Sequence, residues 1–161
     1  MLNFFYVDKQ YIEYLKRWES KIPNIDYDSH KKFVCGALIQ LAGMAYYAPV
    51  SHYKKPNAST FLIYDGDKAI SSIRLNFMFP VLRDTIQKVD FHRLQHEDPR
   101  YASLVRKELA YCRDHVDALQ RQAQKVYRRG SNPQDFLFQF CCDFQLLQTK
   151  AEEYQNKWLQ G

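Results

Sequence analysis

Glycine is scarce, with five in 161 residues, and that alone argues against a loop built to cradle phosphates. Neither G-x-x-x-x-G-K-[ST] nor G-x-G-x-x-G occurs, and G-x-S-x-G and H-E-x-x-H are missing too. P-loop, dinucleotide-binding, α/β-hydrolase and zincin chemistries lose their signatures with them. No apolar run approaches the roughly 18 residues that cross a bilayer, and mean hydropathy is −0.53. The opening Met1–Asp8 stretch has no basic segment, and its apolar part is too short for a signal peptide. A cytoplasmic protein without a membrane partner is therefore expected. Four cysteines (Cys35, Cys112, Cys141, Cys142) form no C-x-x-C pair, and two are adjacent. That pattern is neither a disulfide framework nor a zinc ribbon, and it suits free thiols in a reducing compartment. His92 and His96 lie four apart beside Glu97 but lack a third ligand. No metal and no cofactor are expected.

What remains is an ordinary globular composition, 46% hydrophobic and 25% charged, enough for a single domain over residues 1–161. Charge is distributed unevenly. Between Arg100 and Gly130 stand eight basic residues (Arg100, Arg106, Lys107, Arg113, Arg121, Lys125, Arg128, Arg129) and three acidic ones, a surplus equal to the chain's net +5. A cationic face of this kind suits phosphate, although a solvated helix surface has the same composition. Twelve tyrosines and eleven phenylalanines add rings that stack on bases or fill a core.

Along the chain, residues 2–7 read as a strand, and Asp8 precedes a helix from about Lys9 to Glu19 that Pro23 stops. Asn24 to Lys32 reads as a polar loop. Phe33–Ala42 and Met44–Val50 form a hairpin closed at Gly43. Thr60–Tyr64 and Ile70–Phe79 are strands around the turn Asp65-Gly66-Asp67-Lys68, with Pro80 closing the second, and a short strand follows near Ile86–Phe91. Asp98-Pro99 starts a helix predicted to run to about Arg128, and Asn132-Pro133 starts another reaching about Trp158. The expected fold is α+β: a compact antiparallel sheet, a short N-terminal helix and two long C-terminal helices.

One polar cluster stands out. Ser51-His52-Tyr53-Lys54-Lys55 follows an apolar strand, and His30-Lys31-Lys32 precedes another. Pairing those strands as a hairpin brings its open ends together, so Lys32 lies beside Ser51–Lys55. A hydroxyl, an imidazole and up to four ammonium groups then meet with no carboxylate among them. Two exposed basic loops are the plainer reading of the same residues.

Several segments then carry a resemblance. Tyr11-Ile-Glu-Tyr-Leu-Lys, Lys21-Ile-Pro-Asn, Tyr47-Ala-Pro-Val-Ser-His-Tyr-Lys, Ile73-Arg-Leu-Asn-Phe-Met-Phe-Pro-Val and Lys107-Glu-Leu-Ala-Tyr-Cys-Arg occur in that order. Over roughly residues 2 to 125 the chain resembles the ToxN/AbiQ toxins of type III toxin–antitoxin systems. The resemblance implies a MazF/Kid-like fold and a sequence-selective endoribonuclease acting in phage defence (abortive infection) or replicon maintenance. It also implies a repeated, pseudoknotted small RNA antitoxin, cellular or phage RNA as substrate, and an oligomeric protein–RNA assembly. The family's A-P-[LV]-[TS]-S-x-K segment falls on Ala48 to Lys54, matching Ser51 and Lys54, with His52 at its second hydroxyl position. The family's preceding lysine falls on Lys32, and its tyrosine falls near Tyr27.

The chemistry of RNA cleavage suits these residues. The 2′-hydroxyl is a built-in nucleophile, so an enzyme needs only to remove its proton, stabilise a dianionic phosphorane and protonate the leaving 5′ oxygen. Such a reaction needs no metal and leaves 2′,3′-cyclic phosphate and 5′-hydroxyl ends. His52 is the titratable candidate, pushed toward the neutral base form by Lys32, Lys54 and Lys55; a lysine base with His52 as the acid is the alternative. Ser51, Lys54 and Lys32 would hold the phosphate. Tyr27, Lys31, Lys55, Arg106, Arg113, Arg121, Lys125, Arg128 and Arg129 are the candidate RNA contacts. A non-catalytic RNA-binding module is the rival reading.

Overall fold

A computed structural model describes residues 1–23 and 35–159. β1 (Phe4–Val7) leads into α1 (Lys9–Lys16), whose Tyr11, Ile12 and Leu15 enter the core. Asp8 makes no side-chain cap; its carbonyl takes the Ile12 N–H instead. Trp18, within the helix expected to reach about Glu19, lies beyond the helix end, half exposed under the Lys150 ammonium at 3.6 Å.

β2 (Gly36–Leu41) and β3 (Met44–Ser51) form the predicted hairpin. Its two turn residues, Ala42 and Gly43, have φ of 52° and 77°, the doubly left-handed turn that matches strand twist. Gly36 is required for another reason: a Cβ there would stand 2.5 Å from the Ala48 carbonyl oxygen and 2.7 Å from the Tyr47 ring. β4 (Thr60–Asp65) and β5 (Lys68–Arg74) form the second hairpin, turning at Gly66.

The strand expected over Ile70–Phe79 breaks after Arg74 into a 3₁₀ turn, Leu75–Phe77, and resumes as β6 (Phe79–Val81). Pro80 does not end it. It pairs with Tyr46 in β6, which tolerates a missing donor, and its carbonyl accepts the buried Tyr11 hydroxyl at 2.6 Å. β7 (Ile86–Lys88) stops early because Asp90 caps α2 (Phe91–Glu97) through the Arg93 N–H. The sheet order is β4-β5-β3-β2-β1-β7, with β6 also paired to β3, and every pairing is antiparallel.

The single long helix predicted from Asp98 is two. Asp98 caps α3 (Pro99–Asp114) as expected, accepting from the Tyr101 N–H. His115 then leaves helical geometry at φ −121°, ψ 27°, its ring stacked on Tyr111 at 4.0 Å, before α4 (Val116–Gly130) begins. The last helix also starts late. Asp135 opens a 3₁₀ turn, Phe136–Gln139, and α5 (Phe144–Tyr154) waits for its cap Asp143, which accepts from the Leu146 N–H. The Cys142 N–H bonds the Asn76 carbonyl and the Asp143 N–H bonds the buried Glu19 carboxylate, which fixes the chain in this irregular path. All four cysteines are free and buried. Among the described residues no helix is long and apolar enough to cross a membrane. The polar loop expected over Asn24–Lys32 lies outside the described residues, as does Phe33.

Candidate functional site

β3 changes partners along its length, and that change builds the site. Its early residues pair with β2 and β6; Val50 donates to the Cys35 carbonyl at 3.0 Å, and then Val50 and Ser51 pair with Ile73 and Ser72 of β5. Ser51, half-buried, is the last residue of this shared strand. Its Oγ accepts the Tyr53 N–H at 3.1 Å, a turn that bends the chain out of the sheet and leaves the hydroxyl proton for an anion. Ser72 Oγ donates to the Tyr53 carbonyl at 2.5 Å.

The far side of the loop is fastened as well. Asn57 Nδ2 donates to the Tyr53 hydroxyl at 3.4 Å. Its Oδ1 accepts from the Ser59 N–H, the Ser59 hydroxyl and the Thr60 hydroxyl at 2.9 to 3.0 Å. His52, Lys54 and Lys55 occupy the exposed side of this pinned loop. None of the ion pairs among the described residues involves Lys54 or Lys55. Ser51, His52, Lys54 and Lys55 therefore share one loop, with His52 and both lysines on its exposed side. Lys32, Lys31 and Tyr27 lie outside the described residues. The hairpin register, Gly36 opposite Pro49, does run the open end of the hairpin toward Ser51.

The basic helices divide by what their side chains already touch. On α4, Arg121, Lys125 and Arg128 are exposed on the side opposite buried Leu119, Ala123, Val126 and Gly130. Gln120 and Gln122 flank that stripe and hold the helix to the sheet, donating to the carbonyls of Gln40 and of Ala58 and Thr60. Arg129 turns away to pair with Asp135 at 3.0 Å, and its guanidinium holds that carboxyl below the usual carboxylate range. Arg113 donates to the Leu2 carbonyl and Asn3 Oδ1, tying down the N-terminal strand. Arg106 is exposed, bonded to Gln95 and set over the Phe91 ring at 5.5 Å. Of the basic-helix residues expected to contact RNA, Arg106, Arg121, Lys125 and Arg128 are exposed, while Arg113 and Arg129 are engaged within the protein.

Sequence reasoning missed Ser72, Arg74 and Asn57 as parts of the site and gave Tyr53 no role within its loop. Their signal was present: Ser72 and Arg74 alternate with Ile73 at strand spacing, placing two polar side chains on one face of a buried strand. Phe136 and Phe140 fall within the last helix expected from the sequence but lie ahead of α5. Both are exposed, at 68% and 47%, with rings 5.1 Å apart. Among the described residues no three His, Cys, Asp or Glu side chains converge as metal donors.

Residues 3–152 match the family model for toxin ToxN of type III toxin–antitoxin systems. The chain belongs to the ToxN family. It is 27% identical to the endoribonuclease ToxN of Bacillus thuringiensis subsp. kurstaki, over 96% of this chain and 85% of that one. To the endoribonuclease AbiQ of Lactococcus lactis subsp. lactis it is 25% identical, over 97% and 91%. Its fold superposes on a type III toxin solved in work on selective inhibition by a non-coding RNA pseudoknot, with a TM-score of 0.87, 25% identity and coverage of 97% and 99%. It also superposes on lactococcal AbiQ, an anti-phage endoribonuclease, with a TM-score of 0.81, 22% identity and coverage of 98% and 99%. The ToxN-family α+β architecture and antiparallel sheet are shared across nearly the whole chain.

Proposed function

We propose that this ToxN-family chain is a sequence-selective endoribonuclease toxin that cuts cellular or phage RNA without a metal, leaving 2′,3′-cyclic phosphate and 5′-hydroxyl ends. What supports the mechanism is the fastened Ser51–Lys55 loop, which carries a hydroxyl, an imidazole and two ammonium groups, with neither ammonium in an ion pair among the described residues. Ser51 donates to a non-bridging oxygen of the scissile phosphate, while Lys54 and Lys32 supply positive charge as the phosphorane gains its second negative charge. His52 takes the 2′ proton as general base, and the loop lysines serve in that role in the alternative assignment.

The MazF/Kid likeness, an RNA-only route to cyclic phosphate on a small sheet-and-helix scaffold, belongs to the same reading. Restraint comes from a small pseudoknotted RNA antitoxin, held in an oligomeric protein–RNA assembly by Arg106, Arg121, Lys125 and Arg128 with Lys31, Lys55 and Tyr27. The toxin acts in the cytoplasm in phage defence. The relatives named endoribonucleases and the solved RNA-inhibited toxin support this reading.

The test is to incubate the purified protein with single-stranded RNA in excess chelator and map both new ends. Cleavage in chelator, with 5′ ends labelled directly by kinase and 3′ ends resistant to polyadenylation until acid opens the cyclic phosphate and a phosphatase removes the resulting monophosphate, is expected. Cleavage lost in chelator and restored by a divalent ion would refute the mechanism, and tight binding without cleavage would favour a binding module.

A further inference from the structure

Arg74 ends β5 opposite Thr60, two residues beyond Ser72, which itself lies opposite Ser51. Cross-strand partners share a face, as do residues two apart on one strand. Ser51, Ser72 and Arg74 therefore project from the same side of the sheet, the side over which the Ser51–Lys55 loop folds. The guanidinium carbon stands 3.9 Å from the centroid of the Tyr53 ring and 4.9 Å from that of Phe77. Two aromatic rings thus restrict the head group, and one belongs to the Ser51–Lys55 loop.

Beyond these two rings, no carboxylate among the described residues pairs with this cation. Its Nε is buried and has no hydrogen-bond acceptor among the described residues. Burial weakens its hold on its proton, yet a guanidinium stays charged throughout the working range of an enzyme. A charged donor, partly withdrawn from water, clamped by rings and unmatched by an acceptor, is a group waiting for an anion. The surface stripe of α4 is also cationic, but its side chains are exposed and no aromatic ring among the described residues clamps them.

We propose that Arg74 is a further catalytic residue, whose missing acceptor is a non-bridging oxygen of the scissile RNA phosphate. This rests on the endoribonuclease reading above. As the 2′ oxygen bonds to phosphorus, its proton passes to the loop base. The phosphorus–5′-oxygen bond then breaks, and the 5′ oxygen takes a proton from the general acid. Arg74 neither gives nor accepts a proton. Its planar fork offers two N–H groups to the oxygens on which the extra charge develops, so it binds the phosphorane more strongly than the ground state. Lysine would keep the charge but lose both the fork and the stacking on Tyr53 and Phe77.

The experiment compares wild type, Arg74→Lys and Arg74→Ala in single-turnover cleavage of a short RNA. Two further measurements accompany it: binding of the same RNA with a 2′-deoxy nucleotide at the cut position, and thermal unfolding. Arg74→Lys is expected to keep the wild-type melting temperature and to bind the deoxy RNA nearly as well, yet to cleave about 10²-fold more slowly or worse. Arg74→Ala is expected to regain part of its rate when millimolar guanidinium ion is added, but not when ammonium is added. A purely structural role would not produce that difference. Arg74→Lys cleaving at the wild-type rate, or a folded Arg74→Ala with no response to guanidinium, overturns the assignment while leaving the endoribonuclease reading intact. If Arg74→Ala does not fold, Arg74→Lys decides alone. A wild-type protein that binds RNA and never cuts overturns both readings.

Discussion

The Ser72 hydroxyl donates to the Tyr53 carbonyl at 2.5 Å, fastening the middle of the Ser51–Lys55 loop to a fully buried position on β5. The bond sets where Ser51 ends and where His52 and Lys54 begin. Ser72→Ala is expected to cost about 1 kcal/mol of stability, the usual net worth of such a bond. The larger effect should fall on catalysis, with kcat down roughly 10- to 100-fold and KM little changed, because a loop displaced by about an ångström no longer presents its groups in line. Steady-state kinetics alongside denaturant unfolding separate the two. A loss of activity no greater than the loss of folded protein would show the bond to be only structural.

Exposure of His52, Lys54 and Lys55 means that their replacement removes chemistry without leaving a cavity. Ser51→Ala, His52→Ala and Lys54→Ala should each relieve growth inhibition while the protein still folds and still binds its antitoxin. General acid–base and electrostatic contributions of about 10²- to 10⁴-fold are ample for that. The pair His52→Ala and Lys54→Ala assigns the base. Near-full cleavage by His52→Ala beside a dead Lys54→Ala would move that role from the imidazole to a lysine.

Glu108, on the core face of α3, is buried and its carboxyl is pushed up to about 6 by desolvation, with Ser71 of β5 partly opposing the shift. The folded protein therefore holds this proton more tightly than the unfolded chain does. Its contribution to stability is complete below about pH 4.5 and is lost as the pH rises through about 6. Glu108→Gln removes the titration but keeps the shape. The variant should gain about 2 kcal/mol on the wild type between pH 4.5 and pH 7, read from chemical denaturation at each pH. A difference independent of pH would mean that folding leaves the proton affinity of Glu108 unchanged.

What was legible in the chain was mostly local. Gly43 and the Asp65-Gly66 turn specify two hairpins within a few residues of themselves, and Asp98-Pro99 marks the start of α3 by capping chemistry alone. The break at His115 was not legible. Cys112, Leu119, Ala123 and Val126 keep a continuous helical phase across it, and neither glycine nor proline marks the spot. The same divide runs through the site. Ser51, His52 and Lys54 are contiguous and so announce themselves, whereas Ser72 and Arg74 join them only because β3 leaves β2 for β5. That choice of partner is a long-range pairing, set by burial on both sheet faces and not by any short word in the sequence.

Arg121, Lys125 and Arg128 form one exposed stripe on α4, facing away from the sheet that the other side of the helix covers. Cleavage needs few phosphate contacts, but restraint of a toxin by a folded RNA needs many, so this stripe should serve the antitoxin more than the reaction. Each phosphate neutralised on RNA releases about 0.7 to 0.9 of a counterion, which makes such binding steeply dependent on salt. Replacing Arg121 and Lys125 together by glutamine should weaken antitoxin binding and lower its salt slope by roughly 1 to 2, if each side chain meets one phosphate. Cleavage of a short unstructured RNA should change far less. Arg129→Gln provides the contrast: its guanidinium is already paired with Asp135, so its loss should be felt in stability more than in the salt slope. An unchanged affinity and slope in the double variant would make the stripe a solvated face and place the antitoxin on the loop around Lys54.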